Sequence, residues 1–330
     1  MTPTRTVPIP AFLRRNAWDL GIWLLLVALV GYYTTLIPSF GDFQMASISK
    51  NSLPLVYLAI GQAIIVIAGG IDLSIGSQMV LSGAVAAQVM DERSFVATLI
   101  LGMIIVLGGA VLNGIVGWVV NVSAVPDIVV TLATSFIWSG MALVVLPSPG
   151  GGTSPGFREL FTGSEFGTGT NYVNSMVMIV IPMVLFVYIL RRRRVGLSVY
   201  AIGSDRNAAY LSGVDVRVAK IWSYAFGGAM AAMAGLATMA ITGIGDPRAS
   251  VGANATLKSV AAIVLGGVAL TGGTGSIVGV VAAAIVLFFL NPILSAKGID
   301  PNTAQVMEGS LIVIVMMIAG YSEHRRRRAT

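Results

Sequence analysis

The chain has 330 residues, of which 56% are hydrophobic before its 39 glycines are counted, whereas a soluble protein reaches about 45–50% with glycine included. Charged residues make up 10%, where about 25% is usual, and the formal net charge is +6. So few charges cannot cover the surface of a soluble globule of this size, so the composition excludes a soluble two-domain protein and requires lipid as the main solvent.

A bilayer core of about 30 Å takes about 20 apolar residues per helix. In chain order the uncharged runs are 20–37, 51–71, 73–90, 94–126, 128–157, 166–190, 221–245, 259–296 and 309–322. The run 259–296 is too long for one span, and its TGGTGS at 271–276 divides it into two short helices. The last run reaches full length when extended back across Glu308 to Thr303. The expectation is therefore an all-α integral membrane protein with about ten transmembrane helices, some short or broken. Residues 1–330 form a single transmembrane domain, and the even count puts both termini on one side.

The distribution of positive charge orients the chain. With the N-terminus inside, 14 of the 20 Lys and Arg residues fall in cytoplasmic segments, among them Arg191 to Arg194, Arg206, Arg217 and Lys220. The other six, Lys50, Arg93, Arg158, Arg248, Lys258 and Lys297, fall outside. This is the bias that the positive-inside rule demands. It makes residues 1–16 and 321–330 cytoplasmic tails, 147–173 an external loop and 191–220 a cytoplasmic loop. The basic runs are read as anchors and as contacts to anionic membrane lipid, not as a nucleic-acid site. The loop 191–220 holds apolar residues and few breakers, which suits a helix lying on the membrane surface or a docking element.

Polar groups within apolar runs are the candidate functional residues. Asp72 is the one charge in 51–90, inside AGGIDLSIGS. Gly69–Gly70 would break the helix, and Asp72 or Ser74 would cap the next one. Asp72 is then either only that cap, or part of a broken helix lining an aqueous path. GGIDLSIGS (69–77) echoes GGVALTGGT (266–274), and interrupted segments in both halves point to a transport site. Asn113, Asn121, Thr131 and Thr134 lie in or beside the fourth and fifth spans, as pathway residues or as interhelical hydrogen-bonding groups. Small residues in GGAMAAMAG (227–235) permit close helix packing.

Several chemistries are absent. There is no cysteine, so thiol catalysis, disulfides and thiolate metal sites are excluded. The single histidine, His324, lies in the C-terminal tail, so neither a histidine metal cluster nor a Ser-His-Asp triad can form. None of the four lysines follows a glycine, which excludes a phosphate-binding P-loop. No enzyme, metal or cofactor function is expected of this chain; if ATP drives it, another subunit hydrolyses the ATP.

The quoted segments resemble the permease subunits of bacterial ABC importers of the ribose/xylose/galactose type. The carriers of the resemblance are AGGIDLSIGS, LNGIVGWVVNVSAVPDIVVTLAT, YAIGSDRNAAYLSGV and LKSVAAIVLGGVALTGGTGSIVG, in that order along the chain. The resemblance implies a dimer with a second copy or a paralogue, cytoplasmic ATPase subunits that carry the ATP and Mg, and a periplasmic sugar-binding protein. It also implies a coupling helix with a Glu-Ala-Ala-x-x-x-Gly-like pattern. Here that pattern falls on Asn207, Ala208, Ala209 and Gly213, with Gly203 and Arg206 beside it and Asn in place of the Glu. Paired alanines would give a small face that fits a groove, and Gly213 would end the helix.

A stand-alone secondary transporter is the alternative. Such carriers need titratable groups near the midplane, where Asp72 qualifies and Asp127 and Glu308 fall at predicted span ends. A structural membrane protein would have no need of broken helices.

Overall fold

The computed structural model describes residues 16–37, 40–123, 125–163 and 172–328, and within the last helix the side chains through Ile314 and that of Met317. Most of the expected N-terminal tail, including Arg5, Arg14 and Arg15, lies outside the described residues, as do 164–171 of the external loop and the side chains of the C-terminal tail.

The described residues form thirteen helices: α1 (Ala17–Leu36), α2 (Asp42–Ile67), α3 (Ile75–Val89), α4 (Phe95–Ser123), α5 (Asp127–Val145), α6 (Pro155–Thr162), α7 (Val173–Arg192), α8 (Arg194–Ser204), α9 (Arg206–Leu211), α10 (Val216–Thr242), α11 (Ala249–Leu265), α12 (Ile277–Ala296) and α13 (Pro301–Arg328). Seven of them, α1, α2, α4, α5, α7, α10 and α12, are long and apolar enough to cross a membrane, and α3 and α11 are shorter apolar helices. Helix is the form a chain adopts where no water is present to satisfy backbone N–H and C=O groups.

The bundle is apolar inside and out. Helix α2 runs through the middle, with Leu53, Tyr57, Ile60 and Ile64 fully buried. Outer helices α1, α4 and α5 point large apolar side chains away from the protein, among them Leu24, Leu107, Phe136 and Val144. Apolar surface of that extent marks contact with lipid. The small residues of 227–235 lie on α10 against its neighbours. A Cβ on Gly228 would run into Asn113 and the Gly109 backbone of α4, and one on Gly235 into the Met79 and Gly83 backbone of α3. These contacts bring helix backbones together at van der Waals distance, the packing that small residues permit in lipid.

Connections gather at two ends. At one end the Gly273 N–H donates to the Ile67 carbonyl (2.9 Å), and Trp18 Nε1 donates to the Leu265 carbonyl (3.0 Å). Ser276 Oγ also donates to Asp19 Oδ2 (2.8 Å) there. At the other end the Gly152 N–H donates to the Ala87 carbonyl (3.0 Å), Gly150 pairs with Gly245, and Arg158 Nε donates to the Ala240 carbonyl (3.1 Å).

Helices α2 and α11 stop in the same way. Gly69 (φ +76°) follows α2, with the Gly69 and Gly70 N–H groups on the Val66 and Ile65 carbonyls. Gly267 (φ +82°) follows α11, with the Gly267 and Val268 N–H groups on the Val264 and Ile263 carbonyls. Each is a Schellman stop, which needs a residue with positive φ at the first position past the cap. The sequence echo is therefore structural, but it pairs Gly69 with Gly267, one residue beyond the alignment that maximises identity.

Candidate functional site

Three polar centres stand out, two inside the apolar bundle and one at its end. The first occupies the break between α2 and α3. Asp72 is fully buried; its Oδ1 accepts from the Ser74 N–H (2.7 Å) and hydroxyl (2.6 Å), and its Oδ2 from Asn113 Nδ2 on α4 (2.8 Å). The Leu73 N–H donates to Thr131 Oγ1 of α5 (3.0 Å), and the Gly76 N–H to Thr256 Oγ1 of α11 (3.0 Å). At the start of α3 the Ser74 N–H is thus satisfied from its own approach and the Gly76 N–H from α11, while α5 holds the Leu73 N–H just before the helix. Three donors, one of them from a different helix, make charge-assisted bonds that compensate a carboxylate held away from water.

This geometry decides between the two expected caps in favour of Asp72. Ser74 is the N-cap residue but makes no side-chain cap bond; its hydroxyl turns back to Asp72, whose carboxylate takes the backbone N–H instead. Of the six candidate pathway residues, Asp72, Ser74, Asn113 and Thr131 converge here. Among the described residues Thr134 bonds only within its own helix, to the Val130 carbonyl (2.8 Å). Asn121 lies further along α4, where Nδ2 donates to the Arg217 carbonyl of α10 (3.1 Å).

Beside this knot lies a group that sequence reasoning missed. Lys220 Nζ contacts Asp127 at 2.9 Å, and the Tyr224 hydroxyl donates to Asp127 Oδ2 (3.1 Å). Lys220, expected in the cytoplasmic loop, is the fifth residue of α10 and is 8% exposed. Ninety-three positions separate the partners, and nothing local in the sequence marks them as a pair.

The second centre is the segment between α7 and α10. Asp205 caps α9, its Oδ1 accepting from the Asn207 and Ala208 N–H groups (both 2.9 Å). Gly213 (φ +83°) closes the helix: its N–H donates to the Tyr210 carbonyl (2.9 Å), and that of Val214 to the Ala209 carbonyl (3.0 Å). Gly203, at the end of α8, packs against the Ile67 carbonyl and the Gly273 N–H. The expected contact face needs correction. Ala209 is 5% exposed and faces its own chain, whereas Asn207, Ala208, Tyr210 (71%) and Leu211 (84%) face outward with Arg206. The helix register decides this, since adjacent residues lie about 100° apart around the axis.

The third centre also escaped the sequence reading. Lys258 Nζ pairs with Glu308 Oε1 (2.8 Å), and Asn291 Nδ2 donates to Glu308 Oε2 (3.3 Å). Lys258 was expected outside, ahead of a span starting at 259. Helix α11 begins instead at Ala249, which makes Lys258 its tenth residue of 17. The group sits between two cavities of about 530 and 340 Å³, both lined by Lys258, Asn291 and Glu308.

Long apolar helices in a lipid-facing bundle, with an interrupted helix and buried polar groups inside it, define a polytopic membrane protein. Residues 44–316 match the family described as the branched-chain amino acid transport system / permease component, and the chain belongs to that family. It is similar to the probable ABC transporter permease protein y4mJ of Sinorhizobium fredii (32% identical, over 93% of this chain and 89% of that one). It is also similar to the ribose import permease protein RbsC of Escherichia coli (29%, over 89% and 91%) and to the D-allose transport system permease protein AlsC of Escherichia coli (28%, over 91% of each). No solved structure matches the chain. The chain is a multi-pass inner-membrane permease and belongs to a transport family, not an enzyme family.

Proposed function

We propose that this chain is the membrane-spanning subunit of an ATP-driven importer of a monosaccharide. It pairs with a second copy or a paralogue and receives its solute from a periplasmic sugar-binding protein. ATP and Mg are bound by separate cytoplasmic ATPase subunits. The family description mentions branched-chain amino acids, but relatives that match some nine-tenths of this chain are named for ribose and allose, which favours a sugar. In this reading α1, α2, α3, α4, α5, α7, α10, α11, α12 and α13 are the ten spans. Both termini and the end of the bundle that carries α8 and α9 are cytoplasmic, and α6 is external.

The observation that carries the coupling role is the position of α9. It is a capped helix with Tyr210 and Leu211 turned outward, joined through Gly203 of α8 to the end of α2 and to the glycine-rich turn that follows α11. An apolar tip on a rigid base suits a groove on a partner. The Asp72–Ser74–Asn113–Thr131 knot then fixes the broken helix beside the pathway.

The test is uptake of radiolabelled D-ribose, D-allose and D-fructose by cells carrying the chain with its ATPase. Accumulation of one of these sugars is expected, and it should stop when the ATPase is made unable to hydrolyse ATP. Uptake that persists would overturn the reading in favour of a stand-alone carrier.

A further inference from the structure

The Lys258–Glu308–Asn291 group has more polar capacity than a tie between helices requires. An ionised side chain within a membrane bundle is costly and marks a solute or ion path more often than a structural contact. Glu308 is held on both oxygens and is almost fully covered, while about a third of the Lys258 side chain remains open. Lys258 has three N–H donors, and one partner, Glu308, accounts for one of them among the described residues. Lys258 lines both cavities.

Those cavities share the group as a common wall. The larger is bounded by α11, α12 and α13 and adds Asn254, Ser295 and Gln305. The smaller reaches α2 and α10 and adds Asn51, Thr238 and Thr242. Both volumes fall within the range of about 300–1,000 Å³ usual for small-molecule sites. Their polar side chains are amides and hydroxyls, which both donate and accept.

We propose that Lys258, Glu308 and Asn291 form a binding station for a polyhydroxylated, uncharged solute crossing between the two cavities. The proposal rests on the transport reading above and assigns it a place within this chain. Each sugar hydroxyl donates once and accepts, so it needs both kinds of partner within one reach; Lys258 donates, Glu308 accepts, and Asn291 does both. The paired charges cancel, which suits a neutral solute, whereas a charged one would have to break the pair.

The chain has no cysteine, so an introduced one is a unique probe. Ser295→Cys, which lines the larger cavity, is labelled with a small methanethiosulfonate reagent in isolated membranes. D-ribose, D-allose or D-fructose is expected to slow labelling, whereas sodium gluconate at equal osmolarity should not. Adding Lys258→Met and Glu308→Met together replaces the ion pair with apolar groups of similar length, a change that commonly leaves stability intact. Labelling without sugar should persist in that variant, and protection should weaken about tenfold, the scale of one lost hydrogen bond to a charged group.

Equal protection with and without the two methionines would reduce the group to a helix tie. So would failure of all three sugars to protect in a chain whose cells take one of them up. A chain whose cells take up none of the three loses the sugar-transport reading, and this proposal falls with it. If the double variant is not found in the membrane, Asn291→Leu replaces it, with the same expected loss of protection; unchanged protection there overturns the station.

Discussion

Gly203 of α8 backs directly onto the carbonyl of Ile67, the last residue of α2, with no room between them for a methyl group. The same carbonyl accepts from the Gly273 N–H (2.9 Å), so one point joins the surface segment, the broken helix and the late glycine-rich turn.

Gly203→Ala should force this junction apart. Overpacking of this kind costs about 1–3 kcal/mol. The expected result is a lower unfolding temperature in detergent, and ATP hydrolysis by the assembled complex that no longer responds to solute. An unchanged unfolding temperature together with normal stimulation would show that the junction yields freely.

Ala209 and Leu211 should separate folding from docking. Leu211→Glu places a charge on an exposed tip, so the chain should accumulate normally and lose its ATPase partner on purification. Ala209→Glu places a charge at a covered position and should lower abundance before any docking is measured, by about 3 kcal/mol or more for an uncompensated buried charge. Co-purification of the ATPase at equal chain abundance is the readout. Retention of the partner by Leu211→Glu would remove α9 from the interface.

Asp72 should matter to assembly of the bundle. Asp72→Ala strands the Ser74 N–H, the Ser74 hydroxyl and the Asn113 amide, at about 1–3 kcal/mol for each group left unpaired. Asp72→Asn keeps an acceptor for Ser74, and a turn of the Asn113 amide restores the contact between helices. Membrane abundance should fall several-fold for alanine and much less for asparagine. Equal abundance of all three proteins would mean that the knot does not hold the break in place.

Single cysteines test the orientation. Glu159→Cys on α6 and Ser212→Cys beside α9 are both exposed positions at opposite ends of the bundle. A membrane-impermeant maleimide should label Glu159→Cys in intact spheroplasts and Ser212→Cys only after lysis; the opposite pattern would invert the topology.

Sequence alone established what depends on the solvent. In lipid most backbone groups must be satisfied within their own helix, so runs of apolar residues mark the helices, Gly69–Gly70 and Gly213 mark two of their stops, and TGGTGS at 271–276 marks the second break, although the helix before it already ends at Leu265. Tertiary structure alone decided which face of each helix turns inward. Periodicity separates core from surface only when the surface is polar, and here Ile64 inside and Leu107 outside are equally apolar. Ala208 and Ala209 could not be told apart because they are identical adjacent side chains in a helix of six residues, too short for periodicity to assign a face. The pairs Lys220–Asp127 and Lys258–Glu308 join helices remote in sequence, and the helix that carries Lys258 begins well before its apolar run. A charge in the middle of a membrane helix is tolerated because of a partner that only the packed bundle supplies.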